Sequence, residues 1–321
     1  MGAPDPEGCP RRPPRVNRSM KSTHTVAIGV DLGGTETRVG VVDNQGRVIA
    51  EQHLRTSTEP AQAVTEISAG CRAVAEDVGV AIERVGIGAP GPLELSEGII
   101  ELAPNLGWER VPLRSMFVEE LGCPVWLDND ANAAALGEAW VGAGRGAKVM
   151  LMVTLGTGIG GGLVADGRLF HGAAGGALEI GHQVIEPGGR RCTCGRRGCV
   201  EAYFSGHALI EQATAGGDRE VSLANIFRAY VEGDENVVPW MDRAIDALAR
   251  GVAHAVVLFD PDQVTFTGGL AGSWDAFGAR LQAGIESDVG PAGPQPSFGL
   301  STLDGRAGLI GAARLALQAV E

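Results

Sequence analysis

One pattern occurs twice in this chain and limits its fold more than any other feature: an apolar run that ends in a glycine turn and doubles back. Val26-Ala-Ile-Gly-Val30 leads into Asp31-Leu-Gly-Gly-Thr35 and returns through Arg38-Val-Gly-Val-Val42, with Asn44-Gln-Gly46 and Val48 to Leu54 following. That reads as an antiparallel meander of three strands. Much later, Val149-Met-Leu-Met-Val153 enters the glycine turn from Thr154 to Gly162 and returns through Leu163-Val-Ala165. The copies differ in sequence but match in layout, meander first and helices after, so the pattern predicts a duplicated α/β chain.

Helical spacing of Ala63, Ile67, Cys71, Val74 and Val78 predicts a helix over 60–78, and Val85-Gly-Ile87 reads as the next strand. A helix over 113–121 precedes the strand Pro124-Val-Trp-Leu127, and Asp128-Asn-Asp130 closes that strand before a helix over 131–141. Further helices are expected at about 207–214, 222–232, 236–259 and 274–288, with a strand Gln263–Thr267 that runs into Gly268-Gly269. A last helix is expected over 307–320. Residues 1–23, rich in Pro and Arg, read as a flexible tail in which Met20 is an alternative start. The expected division is residues 24–130 plus 307–321 as a smaller α/β domain and residues 131–306 as a larger one.

Composition narrows the function classes. The 321 residues are 44% hydrophobic and 20% charged, as in soluble globular proteins, and no apolar run approaches a membrane span. A net charge of -13 opposes binding to nucleic acid, whose phosphates require a basic surface. Three of the six cysteines crowd into residues 192–199 while Cys9, Cys71 and Cys123 are scattered, which is no secreted disulfide framework. A cytoplasmic protein is expected, with no membrane partner.

The two glycine turns suit phosphate, since bare backbone lets N–H groups converge on anionic oxygens; each taken alone is equally an ordinary hairpin. Neither is a Walker loop. Asp31, the carboxylate of the first turn, is the choice for Mg²⁺, held through water. Asp130, at a strand-to-helix junction where a helix N-terminus favours the ionised form, is the candidate general base; the same position equally suits an N-cap, by Asp128 or Asp130. His182 with Cys192, Cys194 and Cys199 fits a closed tetrahedral site for a structural Zn²⁺, with Arg190, Arg191, Arg196 and Arg197 available to offset its charge. That cluster would pin a loop presenting Glu179 and Glu201, and His182 would keep its second ring nitrogen for a ligand. Pro90-Gly91-Pro92 and Pro104-Asn-Leu-Gly-Trp108 read as turns, with Trp108 in the core or on a cleft wall. Gly268-Gly269 at a strand end would let a flat adenine or ribose approach the backbone.

Together, Asp31-Leu-Gly-Gly-Thr35, the box Asp128-Asn-Asp-Ala-Asn-Ala-Ala-Ala-Leu-Gly-Glu138, the glycine turn after Thr154, Glu179-Ile-Gly-His182 and the Cys192/Cys194/Cys199 group resemble the ROK family (repressors, open reading frames, kinases), in its bacterial glucokinase branch. The resemblance runs over about residues 25–320. It implies an actin-like ATPase (ribonuclease H-like) fold, two similar α/β domains with sugar and nucleotide in the cleft between them. It further implies Asp130 as base toward the sugar hydroxyl, and Gly91, Asn105, Asn129, Glu179, His182 and Glu201 as sugar contacts. Asp31, Gly33, Gly34, Thr35, Thr157, Gly158, Gly268 and Gly269 become the nucleotide contacts.

The implied reaction moves the γ-phosphoryl of MgATP to the 6-hydroxyl of glucose or a close analogue, in a homodimer or homotetramer. N-acetylmannosamine, N-acetylglucosamine, fructose and cyclitol kinases share every motif quoted. Polyphosphate is an alternative donor, which the acidic charge disfavours. A sugar-sensing protein without catalysis is the reading from another class, opposed by the presence of Asp31 and Asp130. The stretch before Asp31 is too short for the DNA-binding module of ROK repressors. One departure stands out: Glu36 replaces the Lys that many ROK kinases carry after Gly-Gly-Thr, so either Glu36 points away from phosphate or Arg38 supplies the charge.

Overall fold

The computed structural model describes residues 25–215 and 221–319. The expected tail over 1–23, with Met20 and Cys9, and the final residue of the helix expected over 307–320 lie outside the described residues. In chain order the elements are β1 (Val26–Leu32), β2 (Glu36–Asp43), β3 (Val48–Arg55), α1 (Pro60–Asp77), β4 (Val85–Ala89), β5 (Leu93–Glu94), β6 (Ile99–Ala103), β7 (Trp108–Val111), α2 (Leu113–Leu121), β8 (Val125–Asn129) and α3 (Asp130–Val141). There follow β9 (Val149–Leu155), β10 (Ile159–Ala165), β11 (Arg168–Leu169), α4 (Gly206–Thr214), α5 (Leu223–Glu232), α6 (Val238–Phe259), β12 (Gln263–Thr267), α7 (Trp274–Val289), β13 (Ser297–Leu300) and α8 (Ala307–Gln318).

Two five-stranded sheets share one plan, ordered β3-β2-β1-β4-β8 and β11-β10-β9-β12-β13. In each, an antiparallel meander supplies three strands and two more add in parallel to the meander's first strand. Both glycine turns therefore sit at the carboxyl end of the central parallel strands, where open α/β sheets take ligands. Each half has its own apolar core, one around Val30, Ile87 and Phe117 and one around Val153, Phe204, Leu248 and Phe266.

Several strands differ from the sequence reading. The return strand expected at Leu163 begins at Ile159, so Gly160, Gly161 and Gly162 belong to β10 and not to a long turn. Glycine has low strand preference, but only glycine fits here: a Cβ on Gly162 would lie 2.6 Å from Cβ of Ala135, because α3 crosses directly over β10. Strands β5 to β7 form a small separate sheet, and β13 was likewise not foreseen. Trp108 resolves to the core, 2% exposed, with its ring N–H donating to the Thr58 carbonyl at 2.8 Å.

Helix α8 lies on β1 and β4 at backbone contact. A Cβ on Gly29 would fall 2.2 Å from the Leu309 carbonyl, and one on Gly86 only 1.7 Å from that of Ala312. Against α3 the fit is as close, with a Cβ on Gly311 placed 1.6 Å from the Ala133 carbonyl. Helix α3 thus touches β10 on one side and α8 on the other, and its first residue is Asp130. No described helix is long and apolar enough to cross a membrane.

Candidate active site

Strand β8 ends and α3 begins within Asp128-Asn-Asp130, and each of the three side chains does something different. Asn129 is the helix cap: its Oδ1 accepts from Ala131 N at 2.9 Å and from Asn132 N at 3.3 Å. Asp128 is buried, accepting from Asn129 N at 2.8 Å and Asn132 Nδ2 at 2.9 Å, with its second oxygen 2.6 Å from His171 Nε2. The capping task weighed for Asp128 or Asp130 is therefore performed by Asn129. Asp130 occupies the first helical turn, takes the Ala131 N–H at 2.8 Å, and faces a cavity.

Burial raises the Asp130 carboxyl from its ordinary 3.8 to about 6, with the negative charge of Asp31 adding to the rise and the Ala131 N–H opposing it. The sequence expectation that the helix N-terminus governs this group is corrected: desolvation outweighs it. Asp31 is likewise raised by burial, against the pull of Arg38. Two half-buried carboxylates with raised pKa values facing one cavity make this the candidate site.

Many of the candidate residues fall into three recesses. A cavity of about 610 Å³ is lined by Asp31, Asp130, Thr154, Gly268, Gly269, Asp304, Gly305 and Gly308 among others. It has room for a nucleotide. Gly268 adopts φ 94°, and a Cβ there would lie 2.4 Å from the Leu155 carbonyl. A groove of about 630 Å³ holds Asn105, Thr157, Gly158 and Glu201 beside Cys192 and Thr193. A small recess of about 70 Å³ gathers Gly91, Asp128, Asn129, Asn132 and Glu179. Consecutive residues, Asn129 and Asp130, join the small recess to the large cavity.

This division separates residues expected to act together. The second glycine turn straddles two spaces, Thr154 on the cavity and Thr157 with Gly158 on the groove. Glu201 explains the groove side: its Oε2 accepts from Ile159 N at 2.9 Å and its Oε1 from Thr193 Oγ1 at 3.0 Å, tying the glycine turn to the cysteine loop. Gly33, Gly34 and Thr35 form the first turn, with Gly33 N donating to the Glu36 carbonyl at 3.1 Å; Gly34 lies against Asn105, not in the large cavity. His182 lines none of the three recesses.

His182 instead joins the cysteines. A ring nitrogen of His182 and the sulfurs of Cys192, Cys194 and Cys199 all lie within 4.8 Å of one another. Cys192 Sγ is 3.6 Å from His182 Nδ1, and Cys194 Sγ is 3.7 Å from Cys199 Sγ. Zn–S bonds of about 2.3 Å and a Zn–N bond of about 2.05 Å give tetrahedral edges of about 3.8 Å for S···S and about 3.6 Å for N···S. The donor set and spacing fit zinc, while a disulfide would need sulfurs about 2.05 Å apart. With Nδ1 on the metal side, Nε2 of His182 is left for another partner, and His182 N donates to the Glu179 carbonyl at 3.0 Å. Of the four arginines expected to offset the cluster, Arg196 does so directly, Nε to Cys194 Sγ at 3.5 Å. Arg190 turns to Glu211, Arg197 to the Gly188 carbonyl, and Arg191 lines the groove.

Residues 27–319 match the ROK family. The chain belongs to the ROK family. Over 289 residues it is 36% identical to a glucokinase of Thermotoga maritima, covering 83% of this chain and 88% of that protein. A ROK hexokinase from Thermus thermophilus superposes with a TM-score of 0.85 at 35% identity, covering 92% of this chain and 99% of the other. A ROK glucokinase from Streptomyces griseus, solved with glucose and AMPPNP, gives a TM-score of 0.75 at 34% identity over 92% and 100%. The paired sheets are accordingly the actin-like ATPase fold.

In this ROK chain Glu36 is paired with its strand neighbours. Glu36 Oε1 lies 3.0 Å from His53 Nδ1 and 3.6 Å from Arg38 Nε, and Glu36 is not among the residues that line the cavity. Arg38 sits directly across the strand pair from Asp31, and its Nη1 donates to the carbonyl of Gly305 on the cavity wall. Asp304, Ser301 and His171 were not singled out from sequence. Asp304 and Ser301 reach the cavity from the end of β13, a strand without an apolar signature, and His171 gave no signal because its partner Asp128 is distant in the chain.

Proposed function

We propose that this protein is an ATP-dependent glucokinase that transfers the γ-phosphoryl of MgATP to the 6-hydroxyl of glucose. The reading rests above all on Asp130, a half-buried carboxylate at the head of α3 that opens onto the large cavity while its neighbour Asn129 opens onto the recess containing Glu179. The nucleotide would occupy the cavity, its adenosine end against Gly268-Gly269 and its phosphates toward Asp31 and Thr154. Asp31 would hold Mg²⁺ through water, where the raised carboxyl gives up its proton to the cation's field. Asn129, Glu179, Asn105, Gly91 and Glu201 would take the sugar hydroxyls, with Nε2 of His182 as a further donor when the two halves close.

Asp130 would accept the proton of the 6-hydroxyl as that oxygen attacks the γ-phosphorus and the bond to the β-phosphate oxygen breaks, giving glucose 6-phosphate and ADP. Phosphoryl transfer asks for positioning and charge neutralisation more than covalent help. N–H groups of the two glycine turns supply donors to the phosphates. Zn²⁺ on His182, Cys192, Cys194 and Cys199 would be structural, keeping the loop from Glu179 to Glu201 in place. A cytoplasmic homodimer or homotetramer is the proposed setting.

The test is a coupled assay for ADP release at fixed MgATP over glucose, N-acetylmannosamine, N-acetylglucosamine, fructose and cyclitols, ranked by kcat/KM. Glucose is expected to lead. A different leader reassigns the acceptor, and sugar binding without ADP release would end the kinase reading in favour of a sensor. Turnover with polyphosphate exceeding that with ATP would reassign the donor.

A further inference from the structure

The catalytic turn is tied to the second sheet by a pair that no motif predicted. Asp128, at the tip of β8, is 5% exposed at its side chain, and its Oδ2 lies 2.6 Å from Nε2 of His171, which follows β11 and is 34% exposed. Asp128 spends its other oxygen on Asn129 N and Asn132 Nδ2, so both ends of the carboxylate are engaged. The same residue holds the other wall of the small recess: the His171 carbonyl accepts from Ala177 N at 3.1 Å, two residues before Glu179. Between them runs a segment with Gly172 at φ 71°, Gly175 at φ 79° and Leu178 at φ 63°. A leucine in the left-handed region persists only where its surroundings hold it.

We propose that His171 is a positioning residue for the sugar: its ring fixes the Asp128-Asn-Asp130 turn while its carbonyl fixes the approach to Glu179. The two walls of the 70 Å³ recess are thereby set at one spacing. His171 lines neither the small recess nor the 610 Å³ cavity. It acts through Asp128, whose buried oxygen would otherwise lose its partner at a cost to the turn that carries Asn129 and Asp130. The 610 Å³ cavity has no wall on His171 or Asp128 and meets their turn only at Asp130, so nucleotide affinity should respond far less than sugar affinity.

This inference rests on the kinase reading of the same site, and the experiment separates the two. Glucose affinity is measured by calorimetry, and KM for glucose and for MgATP by ADP release, for the wild type, His171→Ala and His171→Gln. Loss of a buried charge-assisted hydrogen bond predicts about a tenfold or greater rise in both Kd and KM for glucose in His171→Ala. KM for MgATP is expected to stay within about twofold. His171→Gln, whose Nε2–H reaches a similar distance, should recover most of the loss. Should His171→Ala not fold, His171→Asn takes its place; its amide is too short for Asp128, and the same rise is expected. Glucose binding equal to wild type, a parallel rise in both KM values, or a Gln variant no better than Ala would each overturn the proposal. If the wild type binds glucose without phosphorylating it, the kinase reading fails while the calorimetric comparison still decides the role of His171.

Discussion

Replacing Asp130 by Asn should move catalysis and stability in opposite directions. Burial, aided by Asp31, lifts this carboxyl from 3.8 to about 6, a difference that corresponds to about 3 kcal/mol between its protonated and ionised forms. The folded state binds this proton more tightly than the unfolded chain, so the ionised group costs stability. That cost is absent below about pH 3.8, grows up to about pH 6 and is constant above. Asn carries no charge to desolvate and removes the cost. The variant should therefore melt about 5 °C or more above wild type at pH 7.5, and the gap should shrink toward zero near pH 4. Turnover should fall about 10²- to 10⁴-fold while KM for glucose changes little, since only proton removal is lost. In the wild type, kcat/KM should decline tenfold per pH unit below about 6. Differential scanning fluorimetry at the two pH values, together with ADP release measured across pH, gives all five readings. A variant that melts at or below wild type at pH 7.5, or that retains more than a tenth of turnover, would refute the reasoning.

Three further outcomes follow from geometry. Purified protein should carry one zinc per chain by elemental analysis, and Cys192→Ser should lose both the metal and at least tenfold in glucose affinity, because the loop from Glu179 to Glu201 is released. Arg38→Ala should raise KM for MgATP about three- to tenfold through Gly305 and Asp31, whereas Glu36→Gln should leave it within about twofold, measured by initial rates over MgATP. Gly311→Ala should cost about 3 kcal/mol or more by urea denaturation, since its Cβ would lie 1.6 Å from the Ala133 carbonyl.

The parts of this molecule legible in sequence were those that depend on local pattern. The first meander, α1, α6 and the His182 cluster declare themselves through apolar period or through ligand types that have few other uses close together. Strand β10 did not, because the glycines that let α3 pass over it look like a turn. The strands β5 to β7 and β13 are too short to show a period. At the site, residue identity could be read but not assembly. Nothing along the chain says that Gly34 meets Asn105, that Glu201 captures Ile159 N, or that Asp128 spends its charge on His171. Asp130 shows the same limit in energy: its place at a helix start was visible, while the burial that dominates its acidity arises only when α3, α8 and β12 close around it.

The glycine seam between α3, α8 and the first sheet has an evolutionary consequence. With backbones already touching at Gly29, Gly86, Gly137 and Gly311, no side chain can be enlarged there without parting the elements that aim Asp130. A lineage exploring new acceptors has to leave that packing frozen and draw its novelty from positions such as Gly176 on the small recess, where an added Cβ would meet nothing within 4 Å. Chemistry and preference are in this way inherited on separate pieces of one polypeptide.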